Sequence, residues 1–386
     1  MSSNYLKNKS LCPLPFAGAI VHPDGSVQCC SISKEKLGNV NDQLLNEILS
    51  NSKKLKQIRR EMLENKFPSN CSECYIKEKY NDTLNFENIS NRLYHIKILK
   101  DHPFKLYKDE NQFELQQIDL RWRNTCNFAC VYCDSHFSSV WAQFEGQKDK
   151  MKNESMIETF NFVKDNIKKL QTVYMCGGEP FLIKENLMIL DLIEKENPDL
   201  LLRINTNLSI LTPKIYNQIK KLKNVHWIIS AESTHQRFNY IRWPGKYTIF
   251  LENLKKIQEL PHKVTINMAW NILCAFNVLE FIDDMMQNGV HPNQFVMNYV
   301  SNPIHQNVSN MSSRQQQNLI TKIQSKKKLI NEKFYLYKVY EEMENLLNEP
   351  LINHHKELYN NLKMLDRQRN LDSSNIFPEL YKEILK

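Results

Sequence analysis

The chain has no run of about 18 apolar residues, so a membrane span is not expected. No continuous apolar stretch follows the opening MSSNYLKNKSLCPLPF, so a secretory leader is not expected and a cytoplasmic location is. No basic block interleaved with aromatics stands out. The formal net charge of +8 therefore reads as a solvated surface, and nucleic acid is not an expected partner. G-x-G-x-x-G is missing after the first strand of the repeating part, which weakens a dinucleotide-binding reading. Glycine is scarce, at 8 of 386 residues, beside abundant Asn, Lys and Ile, and this bias says little about chemistry. Hydrophobic content of 41% against 24% charged is that of an ordinary globular chain, long enough for more than one structural unit.

Cysteine is what the chain has in informative amount. Clustered cysteines in a cytosolic chain read as metal ligands or catalysts rather than disulfides. Of the 10, seven fall in three tight groups: Cys29 with Cys30, Cys71 with Cys74, and Cys126 with Cys130 and Cys133. Cys12 is the upstream partner of the first group. Cys176 and Cys274 sit in apolar, strand-like runs and read as core residues.

Hydrophobic periodicity divides the chain. Residues 1–85 are expected to form a small cysteine-rich module. Its hairpin would run from Ala17–His22 through Pro23-Asp24-Gly25 to Ser26–Cys30, followed by one helix over Asp42–Glu64 capped by Asp42. Residues 86–113 read as a connector. Residues 114–305 alternate strands and helices, with strands expected at Leu115–Arg121, Thr172–Cys176, Leu200–Asn205, Val225–Ser230, Lys263–Trp270 and Gln294–Val300. Six such repeats imply right-handed parallel βα units in an α/β fold, closed as an open sheet or as a barrel. Thr212-Pro213 suits a helix start. Residues 306–386 read as a helical tail, with a long helix after Ser312 or Ser313 striped by Leu319, Ile323, Ile330, Phe334 and Tyr337, and a second over about Asn353–Leu365. Support by packing is the plainer role for the tail, and a substrate lid or docking surface is its rival.

The segment RWRNTCNFACVYCDSHF carries C-x3-C-x2-C and follows the first strand of the βα series. It therefore belongs at the C-terminal edge of the sheet, where α/β sites form. Thiolates select zinc or iron–sulfur clusters. A structural zinc site closes with four ligands, whereas three thiolates on a short loop match three corners of a cubane and leave one iron open.

On this motif, with the aromatic Tyr132 before the last cysteine, the chain resembles the radical S-adenosylmethionine (SAM) superfamily. The resemblance implies a partial (β/α)6 TIM-like barrel. It also implies a [4Fe-4S] cluster on Cys126, Cys130 and Cys133, with SAM on the open iron. Reductive cleavage of SAM would give a 5′-deoxyadenosyl radical that abstracts hydrogen from a substrate. An electron donor such as flavodoxin or ferredoxin would supply the electron. Met175-Cys176-Gly177-Gly178-Glu179-Pro180, after the second strand, resembles the family's GGEP motif, which contacts the SAM amino group. Glycines there would let backbone approach the ligand, and Glu179 suits an ammonium. Ser230 resembles a position that contacts the SAM ribose or carboxylate, and Arg242 in YIRWPG an arginine that pairs with the carboxylate. Asn205 and Asn207 stand where relatives carry Thr-Asn-Gly, with Leu208 in place of the glycine. His136 could donate a proton, although a loop histidine is more often incidental.

The spacing Cys12-x12-Gly25-x4-Cys30, with the later Cys71-x2-Cys74, resembles the twitch/SPASM modules of this superfamily. Those hold auxiliary clusters, so Cys12, Cys30, Cys71 and Cys74 would close one auxiliary [4Fe-4S] cluster, with Cys29 as the alternative to Cys30. The same four cysteines could hold structural zinc. The module here precedes the barrel rather than following it. The substrate implied first is a peptide or protein. Rival functions are a radical SAM dehydrogenase of a small alcohol or carbohydrate, and a non-catalytic iron–sulfur or zinc scaffold. The sequence assigns no acid–base residue.

Overall fold

The structure, a computed structural model, describes residues 8–33, 35–80, 90–147 and 151–385, so the boundary expected at 85 lies outside the described residues. Two compact units emerge. One comprises Met1–Cys126, Ser135–Asn205 and Thr212–Val225, the other Asn127–Asp134, Thr206–Leu211 and His226–Lys386. No described helix is long and apolar enough to cross a membrane.

In the first unit the strands are β1 (Gly18–Val21), β2 (Ser26–Gln28), β3 (Gly38–Asn39), β4 (Gln117–Leu120), β5 (Thr172–Met175) and β6 (Leu201–Thr206). β3, β2 and β1 form an antiparallel meander. β1 then pairs in parallel with β4, β4 with β5 and β5 with β6. The cysteine-bearing hairpin is therefore a direct extension of the parallel sheet. Its turn needs Gly25, which sits at φ +78° with its Cβ position 2.5 Å from the Asn39 side chain.

In the second unit β7 (Val225–Ser230), β8 (Lys263–Trp270) and β9 (Phe295–Tyr299) pair in parallel. The expected α/β class and all six parallel strands are present. Side chains alternate across each strand. On β4, Ile118 and Leu120 are buried, and Trp122 just beyond donates to Asn186 on the helix Lys184–Glu196 at 3.0 Å. Gln117, Asp119 and Arg121 take the opposite face. Helices cover the apolar face, so the polar face is the one left for chemistry.

Local expectations are met where caps are strong. Thr212 accepts from the Ile215 amide at 3.3 Å with Pro213 in the first turn. Ser312 and Gln315 form a capping box for Ser313–Lys327. Two expected long helices are each two. The Asp42–Glu64 helix is Leu45–Asn51 and Lys53–Leu63, broken at Ser52, whose hydroxyl donates to the Leu37 carbonyl. Asp42 caps neither piece, because the N-cap positions are Leu44 and Ser52. The stripe to Tyr337 is split into Ser313–Lys327 and Tyr335–Leu347. Between them the Asn331 side chain accepts from the Lys333 amide, and Asn293 accepts from Tyr335. The second tail helix is His355–Arg369, and Cys274 lies in a short helix, Ile272–Ala275, rather than a strand.

Candidate active site

The three-cysteine loop leaves β4 and its parts are held differently in each unit. In the first, the Cys126 amide donates to Ser139 Oγ at 3.1 Å, and the Ser139 amide donates to Asn124 O at 2.7 Å. In the second, the Ala129 amide donates to Trp243 O at 2.7 Å, Val131 to Ile241 O at 2.9 Å, and Cys133 to Cys130 O at 3.0 Å. Arg369, from the tail helix, donates to Ala129 O at 2.6 Å and to Tyr240 O at 2.9 Å. The tail thus clamps the loop carrying Cys130. Gly245 is required beside it, because a Cβ there would meet the Phe128 ring at 2.8 Å.

Within that unit a buried charge cluster backs the loop. Arg242 Nη2 donates to Glu232 at 2.5 Å, and Tyr132 Oη lies 3.2 Å from the same carboxylate. The guanidinium stands 4.0 Å from Cys130 Sγ and over the Tyr132 ring. Burial pushes the Cys130 thiol up, and Arg242 opposes this by favouring a thiolate. Arg242 was expected to meet the SAM carboxylate. In this structure its Nη2 bonds Glu232 and its guanidinium lies beside Cys130. Glu232 was missed by the sequence reading, although an acid two residues past a strand end in a βα series was a usable signal.

In the first unit the GGEP turn docks onto the segment just before Cys126. The Glu179 amide donates to Thr125 O at 2.8 Å. Gly177 sits at φ +78° with its Cβ position 3.2 Å from Arg121 Cα, and Gly178 at φ +28° with its Cβ position 2.2 Å from Thr125 O. Protein backbone alone already requires both glycines. Glu179 is fully buried and its carboxylate accepts from the Phe181 amide, starting the short turn that includes Pro180.

Ser230 is the last residue of β7. Thr206 ends β6, and Asn207 and Leu208 follow it. Leu208 takes φ +57°, the left-handed region, so the conformation expected of the family's glycine is kept by a leucine. Thr206 Oγ1 accepts from its amide and Asn253 donates to its carbonyl at 2.9 Å, which holds it there. His136 packs against Phe137 and against His22.

The N-terminal cysteines come from three chain segments and meet. Cys12, Cys29, Cys30, Cys71 and Cys74 line one small enclosed cavity with Tyr75, Asn70 and Arg92. Burial and mutual proximity raise the thiols, Cys71 to about 12 and Cys12 well above the usual thiol value, with Cys30 a contributor for each of the other four. Two donors single out Cys30: Asn91 Nδ2 at 3.1 Å and the Ile32 amide at 3.4 Å. Arg92 supplies positive charge beside Cys12 and Cys74, is held by Glu78, and bonds Leu11 O at 2.8 Å. Asn91 and Arg92 lie in the stretch read as a connector, and nothing local marked them.

Residues 122–270 match the radical SAM superfamily, and residues 12–75 match SPASM, an iron–sulfur cluster-binding domain. No curated protein sequence matches the chain significantly. Among solved structures, Streptococcus suis SuiB bound to S-adenosylmethionine is similar at 17% identity, over 64% of this chain and 52% of that one, with a TM-score of 0.39. The chain thus spans about half the length of that protein. SuiB bound to precursor peptide SuiA is similar at 15% identity, over 78% and 67%, with a TM-score of 0.42. Native anSMEcpe with bound AdoMet and Cp18Cys peptide is similar at 13% identity, over 63% and 64%, with a TM-score of 0.40. The chain thus carries a SPASM match over residues 12–75 ahead of a radical SAM match over residues 122–270.

Proposed function

We propose that the chain is a radical SAM enzyme acting on a peptide or protein, with its SAM-binding [4Fe-4S] cluster on Cys126, Cys130 and Cys133. The observation that carries this is the contact of Gly178 with Thr125 O. It ties the proposed SAM amino site at Gly177, Gly178, Glu179 and Pro180 by backbone to the residue before the first cysteine. The donor chemistry fits the group: three thiols on one loop, with a guanidinium behind Cys130 to favour its thiolate. When bound, the cluster and SAM supply a 5′-deoxyadenosyl radical able to take a hydrogen atom from substrate.

The chain's own residues then have distinct tasks. Arg242, Glu232 and Tyr132 position the loop from behind, and Arg369 fixes its carbonyls. Ser230, at the C-terminal end of β7, is our candidate for a SAM ribose or carboxylate contact. Cys12, Cys30, Cys71 and Cys74 are our ligand set for the auxiliary cluster, with Cys30 preferred over Cys29 because two N–H donors aim at its sulfur. The peptide reading rests on the SPASM domain, since enzymes carrying such modules often modify peptides.

Reductive incubation of anaerobically reconstituted full-length protein with SAM tests the reaction. We expect 5′-deoxyadenosine and methionine in equal amounts. Their absence from protein with a full iron complement would overturn the enzyme reading in favour of a scaffold.

A further inference from the structure

Half-buried and buried arginines in this chain are paired with oxygens almost throughout. Arg59 donates to three carbonyls, Arg121 to Asp119, Arg92 to Glu78 and Arg242 to Glu232. Arg203 on β6 is different. Its guanidinium carbon lies 4.7 Å from the Tyr174 ring centroid and 5.0 Å from that of Tyr94. Among the described residues it has no hydrogen-bond acceptor and no carboxylate partner, and its Nε is shielded from water and unbonded.

The setting is the polar face of the first unit's sheet. Strand register puts Asp119, Tyr174 and Arg203 in one row across β4, β5 and β6. Arg121 and Cys176 stand one step nearer the C-terminal ends. The helix Asn91–Ile98 supplies the floor. Its Tyr94 stacks on Arg203, and its His95 accepts from Gln117 Nε2 at 2.9 Å. Asp119 is already spent, taking Arg121 at 2.7 Å and the Cys176 thiol at 3.1 Å. Burial keeps His95 neutral, so it neither competes with Arg203 for an anion nor neutralises it.

Aromatic stacking engages the faces of a guanidinium and leaves its edge donors to accept a planar oxyanion. An unbonded, partly desolvated cation is costly until such a partner arrives. We infer that Arg203, gripped by Tyr94 and Tyr174, is the binding site for a carboxylate of the substrate. The enzyme's substrate would then be anionic, a peptide presenting an acidic side chain or its C-terminus to this face of the sheet. This rests on the reading of the polar face as the reaction chamber.

The carboxylate could come from substrate or from SAM itself, and the test separates the two. Glutarate is titrated by calorimetry into anaerobically reconstituted full-length protein saturated with SAM, and SAM is titrated separately. We expect saturable glutarate binding, weakened ~10-fold or more in R203Q. R203K keeps the charge but loses the fork, so it should fall between. Should R203Q not fold, as judged by its melting curve, R203K carries the comparison alone. Equal glutarate binding by wild type and variant, or none by wild type, would overturn the inference. So would a ~10-fold loss of SAM affinity in R203Q, which would assign the anion to SAM. Because binding alone is read, failure of SAM cleavage in the wild type would count against the enzyme reading without touching the carboxylate site.

Discussion

The two thiol sets of this chain are built on opposite plans. Cys126, Cys130 and Cys133 share one loop, and the surroundings shape that loop from outside through Arg242, Glu232 and Arg369. The N-terminal five come from three segments and enclose their own cavity, with Asn91 and Arg92 contributed by a helix 17 residues or more beyond Cys74. A local set keeps its sulfurs together even when the fold loosens. An assembled set exists only when the tertiary structure does. That contrast explains why the first was legible as a string and the second only as a resemblance.

The sharpest way to break the comparison is to remove the local set. The triple variant Cys126→Ala, Cys130→Ala, Cys133→Ala should drop 5′-deoxyadenosine formation to background while keeping the iron of the N-terminal set. Iron and sulfide assays check it, and loss of all iron would show that the two sets are not independent. Next comes acid. Burial holds His95 down at about 3, against 6.5 for an ordinary histidine. Its neutral ring donates from Nδ1 to Asn91 O at 2.7 Å. The stabilisation is therefore full above pH 6.5 and is lost as pH falls towards 3, on the order of 5 kcal/mol in all. Urea unfolding across that range should show the loss in apoprotein, and His95→Gln should flatten it.

Gly178→Ala should cost about 1–3 kcal/mol, because its Cβ would meet Thr125 O and its φ is unfavourable for alanine. Thermal melting and SAM affinity should fall together, and an unchanged SAM affinity would separate the turn from the site. The finest distinction lies within the assembled set. Cys30→Ser should lose auxiliary iron that Cys29→Ser retains, and the reverse result would move the ligand assignment to Cys29.

What could be read in advance follows the same division. Strands β4 to β9 were marked by apolar alternation, and the helix at Thr212 by its cap. Ser52 broke a periodic helix because its hydroxyl found the Leu37 carbonyl, a partner no local pattern displays. Leu208 holds a glycine-like φ because Asn253 and Thr206 fix it. Arg203, Tyr174 and Tyr94 are drawn together by strand register and by one helix, so their separation in sequence hid them. Asp119 and Arg121 did leave a trace, as charges two apart alternating with Ile118 and Leu120.

The parallel pairing of β1 with β4 bears on how the chain could be cut. A truncation that discarded the SPASM hairpin would not release a finished barrel domain. It would strip Gln117–Leu120 of one neighbour and leave a row of unpaired amides and carbonyls beside the cysteine loop, an adhesive border for other chains. In this protein the auxiliary module is also the selvedge of the catalytic sheet.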